Sequence, residues 1–158
     1  MTRTRATLTT FALAVAVAGC GGNDPLEPPT DPRDVSFAPA LNVDLDRMTR
    51  TASGLYYEDI QTGTGDQARA GSIAHVYYVG WLVDGTQFDG RAAPNPPYSF
   101  TVAIGQVIQG WDEGVSGMLE GGIRKLVIPP LLGYGYRSQG PIPGNSVLVF
   151  QVELVGID

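Results

Sequence analysis

Through most of the chain, apolar and polar residues alternate with the period of two that a half-buried strand imposes. Leu55–Ile60 predicts a first strand, closed by the turn cluster Gln-Thr-Gly-Thr-Gly. Ser72–Val83 predicts a second, with Ala74, Val76, Tyr78 and Gly80 on one face and Ile73, His75, Tyr77 and Val79 on the other. Asp84-Gly85 is a tight-turn signal, so Trp81–Phe88 should fold back as a hairpin. Tyr98–Ile104, Ile123–Ile128 and Val147–Ile157 predict three more strands, the last burying Leu148, Phe150, Val152 and Leu154. One stretch breaks the rhythm. In Gly105–Gly122, Trp111, Val115, Met118 and Leu119 fall at i, i+4, i+7 and i+8, the spacing of one helix face, and Gly121-Gly122 supplies a stop. A single short helix among strands must cover one face of a sheet, which makes this an α+β domain built on an antiparallel sheet. Between Leu131 and Asn145, four glycines and two prolines leave no room for a regular element. Loops of that length inside a compact domain are usually functional.

The ends of the chain differ in character. Arg3 and Arg5 precede a short apolar run, Leu8–Ala18, which is shorter than the roughly 20 residues a membrane-spanning helix needs. It fits the core of a secretory signal. The run ends in Val17-Ala18-Gly19-Cys20, which resembles the bacterial lipobox and implies a mature N-terminus at an acylated Cys20. Gly21, rather than Asp, after that cysteine favours the outer over the inner membrane of a bacterial envelope. From Gly21 to about Pro39, prolines interleaved with acidic residues predict an extended, solvated tether. Leu41–Met48 alternates weakly and is compatible either with packing on the domain or with a loose arm. The resulting division is a signal over residues 1–19, a tether and arm over 20–50, and a folded domain over 51–158.

Charge and rare residues then narrow the chemistry. Ten basic and sixteen acidic residues give −6, and loss of Arg3 and Arg5 with the signal would give −8. That balance argues against nucleic acid, whose phosphates need clustered Lys and Arg. One His and one Cys cannot make a usual zinc site, and no cofactor motif occurs. A serine or cysteine hydrolase would lack its base.

Six segments carry a more specific signal: Val76-Tyr-Tyr-Val-Gly80, Asp84-Gly-Thr-Gln-Phe-Asp89, Gln106-Val-Ile-Gln-Gly-Trp-Asp-Glu-Gly114, Leu132-Gly-Tyr-Gly135, Ile142-Pro143 and Leu148-Val-Phe-Gln-Val-Glu-Leu154. In this order and with these gaps, they resemble the FKBP-type peptidyl-prolyl cis-trans isomerases over roughly Ser53–Ile157. The resemblance implies a five-stranded antiparallel sheet curled round one short helix. It implies a substrate of proline-containing, unfolded or partly folded polypeptides, with macrolides as further ligands, no cofactor, and a monomer.

The resemblance also implies a site. Tyr78, Asp89 and Tyr134 match its polar groups. Phe88, Phe100, Val107, Ile108, Trp111, Ile142 and Phe150 match its apolar walls, with Trp111 as the floor and the Ile142 N–H facing the substrate. Each has a plainer reading alone. Trp111, Phe88 and Phe150 would pass as core, Asp89 before Gly90 as a turn residue, Asp112 and Glu113 as complements to the helix dipole, and His75 as an exposed or satisfied strand histidine. Three departures from the family pattern stand out: Val102 where an aromatic is frequent, which should open one wall; a proline-dense Arg91–Pro97 loop; and Gly144 after Pro143. A catalytic isomerase is the first expectation, and a non-catalytic chaperone or a macrolide-binding surface are the alternatives.

Overall fold

The computed structural model describes residues 30–158. Cys20, the apolar run before it and the first part of the tether lie outside the described residues. Seven strands form one antiparallel sheet: β1 (Thr49–Arg50), β2 (Tyr56–Gln61), β3 (Ile73–Leu82), β4 (Gln87–Arg91), β5 (Tyr98–Thr101), β6 (Ile123–Ile128) and β7 (Leu148–Ile157). Their order is β1-β2-β6-β7-β3-β4, with β5 also paired to β3. Among the described residues the single α-helix, α1, covers Gln109–Val115.

The count of five becomes seven for two local reasons. β4 pairs with the second half of β3, Tyr78–Trp81, and β5 with the first half, Ile73–Val76, so the two form one edge interrupted by the 92–97 loop. β1 is a two-residue addition on the far edge, beside β2. The hairpin turns where Asp84-Gly85 requires it. Gly85 has φ +90°, which glycine adopts without a Cβ clash, and the Asp84 carboxylate accepts from Thr86 N–H at 2.8 Å.

Period-two alternation sorts the sheet into two faces, and each face has its own core. The inner face carries Leu55, Val76, Leu126, Ile128, Leu148, Phe150, Val152 and Leu154, packed against Trp111, Val115 and Met118. The helix approaches β6 closely because it presents glycines there. A Cβ at Gly110 would lie 2.6 Å from Ile128 Cγ2, and one at Gly114 2.6 Å from Leu126 Cδ2. α1 ends sooner than the Trp111–Leu119 spacing and the Gly121-Gly122 stop predict. Its C-terminal carbonyls at Gly114 and Ser116 accept from Arg124 Nη1, at 2.9 and 3.4 Å, and the chain then leaves the helical path. Met118 still reaches the core, but Leu119 sits on an isolated bridge to Gln67 and is only half-buried.

The outer face is covered by the arm. Leu41 and Met48 join Tyr56, Val127, Val147 and Val149 in a second buried cluster, with Val35, Phe37, Val43 and Leu45 against it. Lys125, on β6, is 6% exposed and donates from Nζ to the carbonyls of Leu41 and Asn42 at 2.7 and 2.8 Å. Residues 30–39 are likewise not a solvated tether. Pro32 is buried at the start of a 3-10 turn, and Arg33 donates to Tyr56 Oη at 2.9 Å while lying over that ring. The apolar residues interspersed among the prolines give this segment a face to bury, which composition alone obscured.

Candidate active site

The inner face ends in a cavity of about 450 Å³, lined by Tyr78, Asp89, Tyr98, Gln106, Val107, Ile108, Trp111, Tyr134 and Phe150. They come from six separate stretches of the chain, each for a local reason. Tyr78 follows Ala74 and Val76 on the inward face of β3. Phe88 and Asp89, adjacent in β4, would point to opposite faces of a regular strand. A register shift between Gly80 and Trp81 lets both serve the same side. Val107 and Ile108 lead into α1, and Trp111 is its first inward residue.

Trp111 is the floor. It is 4% exposed, with Tyr78 meeting it edge-on at 4.9 Å and 85°, Phe150 at 5.3 Å and 84°, and Phe100 tilted at 5.6 Å. Phe88 stands behind the wall, edge-on to Phe150 at 5.4 Å. Edge-to-face contacts of this kind add about 0.5–1.5 kcal/mol each beyond area burial. The Trp111 Nε1 is buried with no acceptor among the described residues.

Glycine makes the wall possible. Gly80 lies opposite Phe150 in the β3–β7 ladder. A Cβ there would be 2.6 Å from Phe150 Cε1 and 2.8 Å from Phe88 Cζ, so only its absence lets the two rings meet.

The polar groups are few and aimed. Tyr78 Oη donates to Asp89 Oδ2 at 2.9 Å, and Asp89 Oδ1 accepts from Gly90 N–H at 2.8 Å. Burial, then the hydrogen bond to Asp89, pushes the Tyr78 hydroxyl well above the ordinary tyrosine range. Burial raises the Tyr134 hydroxyl too, with the Asp89 charge acting in the same sense. Both stay neutral donors throughout the physiological range.

The turn feeding the helix is pinned by a residue that dipole complementarity had explained only in part. Asp112 accepts from Ala103 N–H at 2.9 Å and from Gly105 N–H at 2.8 Å. Ala103 and Gly105 both have positive φ, 62° and 79°. Gln106 Oε1 accepts from Thr101 N–H at 2.8 Å, tying the same turn to β5. His75 is paired on both nitrogens, to Ser99 and Asp158, as a structural strand histidine.

Two expectations are corrected. The Ile142 N–H does not face the cavity: it donates to the Gln139 carbonyl at 3.0 Å, and the side chain is 4% exposed in the inner core. Among the cavity-lining residues, the N–H groups of Gln106, Val107, Ile108 and Tyr134 meet no protein acceptor among the described residues. Val102 does not open a wall either, because it is fully buried beneath the site. Two lining residues were missed, Tyr98 and Gln106. Tyr98 shares a strand face with Phe100, and its ring lies 6.3 Å from Trp111 and 6.1 Å from Tyr78. The two-residue spacing between Tyr98 and Phe100 was the available signal.

An aromatic bowl with neutral hydroxyl donors and one carboxylate has the shape of a site that binds a small ring and its flanking carbonyls. Comparison with known proteins gives this class a name. The sequence model for the FKBP-type peptidyl-prolyl cis-trans isomerase family matches residues 65–155. An FK506-binding protein of Neisseria meningitidis serogroup B is 48% identical over 105 residues, 66% of this chain and 96% of that protein. The human peptidyl-prolyl cis-trans isomerase FKBP2 is 52% identical over 93 residues, 58% of this chain and 66% of that protein. Among solved structures, FkpA from Escherichia coli superposes with a TM-score of 0.65 at 39% identity, over 70% of this chain and 51% of that one. AtFKBP13 gives 0.66 at 37% identity, over 71% and 99%. The chain belongs to the FKBP-type peptidyl-prolyl cis-trans isomerase family, and it is an enzyme of that activity.

Proposed function

We propose that this isomerase works at a bacterial cell envelope, held by a lipid on Cys20, and accelerates rotation about X–Pro bonds of polypeptides folding there. The observation that carries the catalytic part is the Trp111 floor, walled by edge-on aromatics and bordered by only one carboxylate. Rotation about an X–Pro bond must break amide resonance, at a barrier of about 18–20 kcal/mol. No proton transfer or covalent intermediate is needed. The planar amide has more charge separation than the twisted one, so a dry aromatic bowl penalises the ground state more than the transition state. In this reading the proline ring sits over Trp111, between Tyr78, Phe150 and Tyr98. The Ile108 N–H and the Tyr134 hydroxyl hold carbonyls flanking the proline, and Asp89 orients Tyr78. Only contacts that strengthen as the amide twists raise the turnover rate, which separates positioning groups from the bowl itself. The same apolar cavity would accept macrolides, in keeping with the names of the relatives.

The lipid anchor rests on the small-residue run ending at Cys20, the only cysteine in the chain. Acyl chains bind membranes at about 0.8 kcal/mol per buried methylene, so a doubly or triply acylated cysteine would hold the domain permanently. A chymotrypsin-coupled assay with an X–Pro peptide tests the catalytic reading, and a rate equal to the uncatalysed one would reject it. Cys20→Ser should move the protein from the membrane to the soluble fraction, and unchanged fractionation would reject the anchor.

A further inference from the structure

At Thr30, the first of the described residues, the arm on the outer face lies beside the active-site loop, and the contact there is specific. Thr30 N–H donates to Asn145 Oδ1 at 3.0 Å, and Thr30 Oγ1 donates to the Asn145 carbonyl at 3.1 Å. These two residues are 115 positions apart. Asn145 has φ +60°, a conformation asparagine tolerates better than most residues, and its own N–H donates to the Gly135 carbonyl at 2.7 Å. Gly135 follows Tyr134 directly. The chain from Thr30 therefore runs through three hydrogen bonds to the residue beside the hydroxyl that borders the cavity.

Several further bonds run within the loop. Gly133 and Gly135 donate to the Pro130 carbonyl, at 3.0 and 2.8 Å, Gln139 and Ile142 exchange bonds at 2.9 and 3.0 Å, and Gly144 donates to Ser138 Oγ at 3.2 Å. These local bonds hold the loop's shape and Ile142 anchors one side of it in the inner core, which leaves the Tyr134–Gly135 end to be fixed from elsewhere. The arm supplies that fixed point. It is itself held down by buried Pro32, by Arg33 on Tyr56, and by Lys125 on the Leu41 and Asn42 carbonyls.

We infer that Thr30 and Asn145 form a latch by which the N-terminal arm sets the position of the Tyr134 loop, making both of them positioning residues for substrate binding. The arm is then part of the enzyme's working structure as well as its link to whatever precedes it. The inference rests on the reading of Tyr134 as a substrate-holding group, and the experiment separates the two. In the full chain, Thr30→Val removes one bond of the latch. Asn145→Gly removes the side-chain acceptor while leaving a residue at ease with φ +60°. Thr30→Ser and Asn145→Asp restore the oxygens. Amide hydrogen exchange is read across Gly133–Ile142 and, as control, across β6 and β7, with KM and kcat measured on an X–Pro peptide.

Losing one or two neutral hydrogen bonds corresponds to about a three- to tenfold change in an equilibrium. The expected result is faster exchange in the loop by about that factor, with β6 and β7 unchanged. KM should rise by a similar factor while kcat stays within about twofold, and the serine and aspartate variants should recover both. Wild-type loop exchange in Thr30→Val and Asn145→Gly would overturn the inference. So would exchange that rises equally in β6 and β7, or a loosened loop with unchanged KM. Tyr134→Phe, run alongside, tests the underlying reading: wild-type KM there would reject the role of Tyr134, while the latch itself is still judged on loop exchange.

Discussion

Gly80→Ala adds one methyl group and tests how the wall is built. The backbone itself tolerates alanine, since Gly80 is not among the glycines with positive φ. Mid-strand, the exchange would even gain about 0.5–1 kcal/mol from reduced unfolded-state entropy. The new carbon, however, would lie 2.6 Å from Phe150 Cε1, 2.8 Å from Phe88 Cζ and 2.9 Å from Phe88 Cε2. Carbon atoms in ordinary contact are about 3.5–4.0 Å apart, so one or both rings must retreat by roughly 1 Å. Phe150 is 3% exposed and backed by Trp111 at 5.3 Å, so it cannot retreat without disturbing the floor. Phe88 is half-buried and is the ring that should swing outward. Overpacking of this kind costs about 1–3 kcal/mol. Urea unfolding should therefore show a net loss centred on ~1 kcal/mol, and at most about 2.5 kcal/mol, after the backbone gain is deducted. The coupled isomerase assay should show kcat/KM reduced by about tenfold, equivalent to ~1.4 kcal/mol. A variant within about 0.5 kcal/mol and twofold of wild type would refute the claim that the Phe88–Phe150 contact shapes the pocket.

Three further outcomes follow from the same geometry. Tyr78→Phe removes the hydroxyl that Asp89 holds; if Asp89 acts only through Tyr78, Asp89→Asn and the double variant should each fall by the same factor, about three- to tenfold in kcat/KM. Asp112→Ala leaves the Ala103 and Gly105 amides without their acceptor; stability should drop by about 1–3 kcal/mol, and KM should rise because the Val107–Ile108 entry is no longer fixed. Alkaline titration reports the two tyrosines: their hydroxyls are raised in the folded state by burial, so the unfolded chain ionises first, near the ordinary tyrosine value of about 10. Their contribution is complete below that pH and is lost as pH rises from it through the raised folded values, so denaturant midpoints should decline above about pH 10 and less steeply in Tyr78→Phe.

Period-two alternation carried most of the fold. Ala74, Val76 and Tyr78 on β3, and Leu148, Phe150, Val152 and Leu154 on β7, lie on the face their spacing predicts because the sheet is buried on that side by the helix. The other face was less legible. Tyr56, Val127 and Val149 are covered only by an arm whose prolines and acidic residues dominate its composition, while its apolar residues are too irregularly spaced to reveal a face. The C-terminal end of α1 was misjudged because the Gly-rich stretch continues a helical spacing past Val115, whereas the Arg124 cap that ends it is a long-range contact. At the site, Tyr78, Asp89, Trp111, Tyr134 and Phe150 were legible, whereas Tyr98 in β5 and Gln106 before the helix were not, nor was any role that depends on a backbone amide. Ile142 and Ile108 carry similar side chains, and only the loop's hydrogen bonds determine which N–H is free. The Thr30–Asn145 contact spans 115 positions and left no trace in local pattern.

The central claim is that the cavity over Trp111 twists X–Pro bonds. Two-dimensional exchange NMR on a peptide with a single X–Pro bond measures this without a coupling protease. Wild-type protein at catalytic concentration should bring cis–trans exchange from tens of seconds into the sub-second range. Trp111→Leu, verified as folded by the far-UV spectrum, should lose at least about tenfold of that acceleration, or ~1.4 kcal/mol of barrier lowering. Equal acceleration by the folded Trp111→Leu variant would contradict the account.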